Sequence, residues 1–299
     1  MIQPPPLKQG DLIYITSPAK LMDVKEIDYA ISFLKKNGFE VLVSKHCLGQ
    51  FNYFSGTDDE RRKDMQVGID HPDVRAIVCA RGGYGCVRIV EQLNWANMLL
   101  EPKWLVGFSD ITVFHHHLSK LGIQSIHGSM PINFEKNTQE ALSSLLSSLT
   151  GSLLTFSILA HSANKMGIST GKLIGGNLSI VYSMLGTNDQ YVFEDAVLFL
   201  EDLGEHYYQI ERMLFALSKA GVFQKLKGLI IGAFTALEDT TPPLGKTIEE
   251  MVLEQVQFLN YPVLFSFPVG HIEDNQALII GREVKLTVNK ANCSLSYLN

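Results

Sequence analysis

Three residues lie where a side chain is placed to do chemistry, each next to an apolar run that reads as a strand. Ser109 sits in Gly107-Phe108-Ser109-Asp110-Ile111, and Glu201 in Leu198-Phe199-Leu200-Glu201-Asp202-Leu203-Gly204-Glu205. His271 closes Phe267-Pro268-Val269-Gly270-His271. A serine hydroxyl is a weak nucleophile at neutral pH. It needs an imidazole to take its proton, and the imidazole needs a carboxylate to fix its tautomer. Nucleophile, acid and base occur here in the chain order Ser, acid, His. Each residue also has a plainer reading: Ser109 as a helix N-cap, Glu201 as a strand-end ion pair because a half-buried carboxylate needs a partner, and His271 as an exposed loop histidine.

A second feature supports the first. Arg81-Gly82-Gly83-Tyr84-Gly85 follows another buried apolar run, and its glycines permit close backbone approach. One N–H of this loop, with that of Asp110 at the start of the following helix, would form an oxyanion hole beside Ser109.

These segments need a scaffold, and the pattern supplies one. Asp11–Thr16, Val41–Val43, Arg75–Ala80 and Trp104–Gly107 read as strands, Lys25–Lys36 and Ile111–Leu121 as amphipathic helices, and Asp58–Gln66 as a charged, solvated helix. Alternation of this kind predicts a parallel sheet with helices on both faces. Ser143 to Asn164 is the least regular stretch and places the domain boundary. The predicted division is an N-terminal α/β domain over 1–150, a linker over 151–168 and a C-terminal β/α domain over 169–299. In the second half, Leu173–Gly176, Ala196–Leu200 and Gly228–Phe234 read as strands, with helices opening near Asn177, over Gln209–Lys219 and over Thr247–Phe258. Ala277–Ile280, Glu283–Val288 and Ser294–Tyr297 read as antiparallel strands.

Composition excludes several classes. The chain has 299 residues, enough for two packed domains, and 46% hydrophobic residues exclude intrinsic disorder. A net charge of −6 without a basic stripe argues against a nucleic-acid partner. No membrane-length apolar run and no secretory leader are found, so a cytoplasmic protein is predicted. Four scattered cysteines with no C-x-x-C pair do not make a disulfide framework or a zinc ribbon. Gly245-Lys246-Thr247 lacks the first glycine of a P-loop, and Arg88 replaces the third glycine of a dinucleotide fingerprint beginning at Gly83, so no nucleotide cofactor is expected. His115-His116-His117 cannot converge on one metal from a helix, where neighbouring side chains diverge by about 100°; surface or half-buried histidines are expected, and no metal.

The succession Arg81-Gly82-Gly83-Tyr84-Gly85, Gly107-Phe108-Ser109-Asp110, Gly175-Gly176-Asn177, Leu200-Glu201-Asp202 with Glu205, and Gly270-His271 resembles the motifs of the LD-carboxypeptidase family, from the Ser17-Pro18-Ala19 turn onward. This family of serine peptidases includes muramoyltetrapeptide carboxypeptidases and microcin C immunity hydrolases. The resemblance implies Ser109 as nucleophile, Glu201 rather than Glu205 as orienting acid, His271 as general base, and the Gly83 and Asp110 amides as oxyanion donors. Ser129 stands where relatives commonly carry proline.

It further implies a flavodoxin-like layer, similar to class I glutamine amidotransferases, in the N-terminal half and a smaller mixed β/α domain in the C-terminal half, with the site in the cleft between them, in a homodimer. The implied reaction is metal- and cofactor-free release of the terminal D-alanine from a cytoplasmic murein tetrapeptide during peptidoglycan recycling. Arg81, Tyr84 and Arg88 are candidates by position for binding that small peptide. Rival readings are a microcin-type immunity hydrolase acting on a peptidyl or aminoacyl nucleotide, and a non-catalytic small-ligand binding protein. An α/β-hydrolase esterase is disfavoured because Ile111 occupies the last glycine of G-x-S-x-G.

Overall fold

A computed structural model describes residues 1–152 and 154–298. Met1–Ser152 with Glu273–Ile279 form one compact unit, and the rest of the described chain forms a second.

The first unit begins with β1 (Leu12–Thr16), α1 (Val24–Lys36), β2 (Glu40–Val43), α2 (Asp58–Asp70) and β3 (Val74–Cys79). It continues with α3 (Ala96–Leu100), β4 (Trp104–Gly107), α4 (Thr112–Lys120), β5 (Ser125–His127) and α5 (Gln139–Thr150). The strands pair in parallel in the order β2-β1-β3-β4-β5. This is the flavodoxin-like doubly wound order, in which ligands collect outside the carboxyl ends of the strands. β4 is buried throughout and β3 at all but one position, as covered parallel strands require. Capping boxes start α1 (Asp23 with Glu26) and α2 (Thr57 with Glu60).

The second unit contains β6 (Thr155–Leu159), β7 (Gly167–Asn177), α6 (Leu178–Ser183), β8 (Val197–Leu203), α7 (Tyr207–Lys219) and α8 (Val222–Lys225). β9 (Gly228–Thr235), α9 (Ile248–Val256) and β10 (Val263–Leu264) follow. After β11 (Leu278–Ile280) come β12 (Glu283–Val288) and β13 (Asn292–Tyr297). The seven-stranded sheet runs β10-β9-β8-β7-β12-β13-β6. It is parallel from β7 to β10 and antiparallel from β7 through β12 and β13 to β6. Among the described residues no helix is long and apolar enough to cross a membrane.

Four sequence expectations need correction. The stretch from Ser143 to Asn164 is not irregular: α5 runs to Thr150 and β6 begins at Thr155. Its serines disguised the helix. Ala141, Leu145 and Leu149 repeat every four residues on the buried side, and the Ser144 hydroxyl both donates to the Ala141 carbonyl (2.7 Å) and accepts the Ala277 N–H (2.7 Å). β12 and β13 are the antiparallel pair expected, whereas β11 leaves them to pair beside β5 in the first sheet. α2 is not simply solvated. It buries Arg61, Met65 and Ile69, and Gly68 lets the Tyr14 ring approach so closely that a Cβ would lie 2.6 Å from it.

The histidine triplet is also more buried than expected, with His115 and His116 both at 0% exposure. His115 Nε2 lies 2.9 Å from the Gly107 carbonyl oxygen and Nδ1 lies 2.8 Å from Ser125 Oγ. Because a carbonyl only accepts, Nε2 carries the proton and Nδ1 accepts from the serine. Burial lowers the imidazole pKa to about 4.

Candidate functional site

In the first unit, Ser109 follows the carboxyl end of β4. Its backbone φ of +63° is unusual for a residue with a Cβ. The sharp turn is set by its neighbours. A Cβ on Gly107 would lie 2.7 Å from Ile111 Cγ1, and the Gly107 carbonyl is held by His115 and by the Gly128 N–H (3.2 Å). Strain of this kind, of order 1–3 kcal/mol, persists only where surroundings over-determine it. Ser109 opens a short 3₁₀ turn leading into α4, so the Asp110 N–H is among the first amides of the helical segment, which lack intrahelical acceptors. The turn does not use Ser109 as a side-chain cap.

The glycine loop after β3 packs directly on this turn. A Cβ on Gly82 would lie 3.1 Å from Ser109 Cβ and 3.3 Å from its Oγ. Gly83 has φ +112°, and a Cβ there would meet the Tyr53 hydroxyl at 2.7 Å and Lys20 Cβ at 2.9 Å. These positions require glycine for close approach and for backbone conformation.

The loop is anchored by residues without an evident sequence signal. Arg61, 1% exposed, donates from Nε to the Gly56 carbonyl (3.2 Å) and from one terminal nitrogen to the Gly85 carbonyl (3.2 Å) and the Pro18 carbonyl. It also pairs with Asp58 and stacks 4.6 Å from the Phe54 ring centroid. The Asp110 carboxylate, 2% exposed, accepts the Cys86 N–H at 2.9 Å, tying the serine turn to the end of the glycine loop. Burial raises the Asp110 pKa.

In the second unit, Glu201 lies inside β8 rather than just beyond it, and is 0% exposed rather than half-buried. β8 is buried at every position from Val197 to Asp202, as a parallel strand covered on both faces is, so two successive carboxylates are buried; its register against β9 shifts between Leu200 and Asp202. Glu201 Oε2 is 2.7 Å from His271 Nδ1. The carboxylate can only accept, so Nδ1 donates and Nε2 is the basic nitrogen. The imidazole is 15% exposed. Gly270, at φ +116°, leaves room for the pair: a Cβ there would lie 2.7 Å from Glu201 Oε2. Glu205 lies past the end of β8.

Asp202 plays a different part. It accepts hydrogen bonds from Asn177 Nδ2 (2.7 Å), the Ser179 N–H (2.9 Å) and the Leu203 N–H (2.8 Å). Burial, reinforced by Glu201, raises its pKa to about 7. Asn177 is the N-cap of α6, and the glycines before it have a steric cause: a Cβ on Gly175 would fall 1.9 Å from the Phe199 carbonyl oxygen.

The position-based peptide-binding candidates divide. Arg88 is engaged by Asp58, with Nε 2.9 Å from both carboxylate oxygens and a terminal nitrogen 2.6 Å from Oδ2. Arg81 is half-buried and donates to the Leu21 carbonyl at 3.1 Å. Tyr84 is exposed, its ring 6.1 Å from that of Phe54. Among the described residues no group of three or more His, Cys, Asp or Glu is arranged to hold a metal ion.

A serine on a constrained strand-to-helix turn and a buried carboxylate–imidazole pair are the parts of which serine hydrolases are made. Residues 13–128 match the LD-carboxypeptidase N-terminal domain and residues 170–286 match the LD-carboxypeptidase C-terminal domain. A relative from Synechocystis sp. is 32% identical over 286 residues, covering 95% of this chain and 94% of the relative. The murein tetrapeptide carboxypeptidase of Pseudomonas aeruginosa is 29% identical, covering 93% and 94%. The crystal structure of muramoyltetrapeptide carboxypeptidase from Oxalobacter formigenes aligns with a TM-score of 0.88 at 28% identity, over 96% of this chain and 99% of that one. The chain belongs to the LD-carboxypeptidase family.

Proposed function

We propose that this protein is a serine carboxypeptidase that releases the terminal D-alanine of murein tetrapeptide by hydrolysing the L,D amide bond. The observation that carries the reading is the buried Glu201···His271 hydrogen bond of 2.7 Å, which orients an imidazole with Nε2 as its base. His271 takes the Ser109 proton as Oγ attacks the amide carbonyl. The Gly83 and Asp110 amides receive the oxyanion, and removal of one such donor costs about 10²–10³ in turnover. The imidazolium then protonates the leaving amine, and water, deprotonated by His271, hydrolyses the acyl-enzyme. The full-length likeness to the murein tetrapeptide carboxypeptidase of P. aeruginosa supports the substrate. We place the enzyme in the cytoplasm, as a homodimer acting in peptidoglycan recycling.

The test is incubation with defined tetrapeptide and mass analysis of the products. Wild-type protein should yield tripeptide and D-alanine, and Ser109→Ala should yield neither while keeping its circular dichroism spectrum. Substantial turnover by Ser109→Ala rejects the nucleophile. Cleavage of an aminoacyl sulfamoyl adenylate with no action on the tetrapeptide rejects the substrate.

A further inference from the structure

A carboxypeptidase must recognise a terminal carboxylate, and the side chains around the glycine loop differ in how fully they are engaged. Arg88 is held by three hydrogen bonds to Asp58, and Arg81 by the Leu21 carbonyl. Lys20 is different. Among the described residues its ammonium contacts the Tyr53 ring, 5.1 Å from the centroid, and has no carboxylate partner. Its backbone is pinned to the loop, the Lys20 N–H donating to the Gly82 carbonyl at 3.3 Å and the Leu21 N–H to the Tyr53 carbonyl at 3.3 Å.

The placement relative to Ser109 follows from the two glycines. The space a Gly82 side chain would fill borders Ser109, and the space a Gly83 side chain would fill borders the Tyr53 hydroxyl and the Lys20 stem, whose Cδ would be 3.5 Å away. Adjacent Cα atoms are about 3.8 Å apart, so the nucleophile and the Lys20 stem flank one dipeptide, with the ammonium beyond the stem over the Tyr53 ring. An α-carboxylate lies only three bonds from the scissile carbonyl carbon, which suits that separation. The field at this corner is mixed: the Tyr53 pKa is raised by burial and then by the Asp110 carboxylate, while Arg81 lowers it. The Asp110 carboxylate is already bonded to the Cys86 N–H.

We propose that the Lys20 ammonium, with the Tyr53 hydroxyl, binds the terminal carboxylate of the peptide substrate and so restricts hydrolysis to chain ends. The proposal rests on the carboxypeptidase reading above and names the specificity residue within it.

The experiment compares kcat/KM for a tetrapeptide ending in D-alanine with that for the same peptide ending in D-alaninamide, using wild type, Lys20→Met and Lys20→Arg. Methionine keeps the apolar stem and removes the charge. The wild type should prefer the free acid by about 10- to 100-fold, the range for a hydrogen bond to a charged group. Lys20→Met should bring the ratio close to one, and Lys20→Arg should retain most of it. A wild-type ratio near one, or a wild-type ratio preserved in Lys20→Met, overturns the assignment of Lys20 while leaving the hydrolase reading in place. Cleavage of neither peptide by the wild type overturns the carboxypeptidase reading and this proposal with it.

Discussion

The Glu201–His271 pair depends on the absence of one methyl group. Gly270 has φ +116°, and a Cβ built on it would stand 2.7 Å from Glu201 Oε2, 2.8 Å from Glu201 Cβ and 3.1 Å from Glu201 Cγ. Gly270→Ala therefore does two things. It imposes backbone strain of about 1–3 kcal/mol, and it pushes the carboxylate away from the imidazole it orients. Glu201 has little freedom to retreat, because it is fully buried within β8 in a close-packed interior. A displacement approaching 1 Å in such a constellation costs about 10² in rate, and loss of the correct imidazole tautomer costs up to about 10⁴. The control is Gly204→Ala, at φ +70° with nothing within 4 Å of the added methyl, which carries strain without collision. The assay is kcat on the tetrapeptide with thermal melting of both variants. Gly270→Ala should lose at least about 100-fold in kcat, while Gly204→Ala should lose stability of about 1–2 kcal/mol with near-wild-type kcat. Wild-type kcat in Gly270→Ala, or equal losses in the two variants, would refute the reasoning.

Two further perturbations test the scaffold. Asp202, raised to about 7, keeps its proton when folded while the unfolded chain releases it, so its contribution to stability falls as pH rises from about 4 to 7. His115, lowered to about 4, has the opposite sign: the unfolded chain takes a proton first, so stability rises with pH from about 4 to 6.5. Urea midpoints across pH 4–7 should thus fall more steeply with rising pH in His115→Phe than in wild type, and less steeply in Asp202→Asn; profiles parallel to wild type would exclude both assignments. Arg61→Lys, which cannot reproduce a fork reaching the Pro18, Gly56 and Gly85 carbonyls and Asp58, should lose about 2 kcal/mol or more in urea unfolding and lower kcat through the glycine loop; unchanged stability would show that these bonds are replaceable.

Much of this was legible in the chain because the relevant signals are local. A nearly uninterrupted apolar run at Arg75–Ala80 and an unbroken one at Trp104–Gly107 announce the buried parallel strands β3 and β4, and the glycines at 82 and 83 mark close backbone approach. What was not legible depends on partners far along the chain. Nothing in Asp58–Gln66 says that Arg61 points inward, because its acceptors at Pro18 and Gly85 come from other loops. β11 was misplaced because a three-residue apolar strand reads the same in either sheet, and its neighbour β5 lies about 150 residues earlier. The engagement of Arg88 by Asp58 needs the folded juxtaposition of the loop with α2.

Glu201 and Asp202 show how position divides labour between two adjacent acids. Alternation sends their side chains to opposite faces of the sheet, and both faces of β8 are covered. Both are therefore buried, and two like charges in one low-dielectric setting oppose each other. The conflict is eased at Asp202, whose pKa is pushed up to about 7 by burial and by Glu201, so that it surrenders part of its charge near neutrality. Its bonds to Asn177, Ser179 and Leu203 fix the entry to α6 and the end of β8. Glu201 directs Oε2 to His271, holding Nδ1 of the imidazole by a 2.7 Å hydrogen bond. Exchanging the two roles would need a one-residue slip of β8, which would turn the imidazole's partner to the opposite face of the strand.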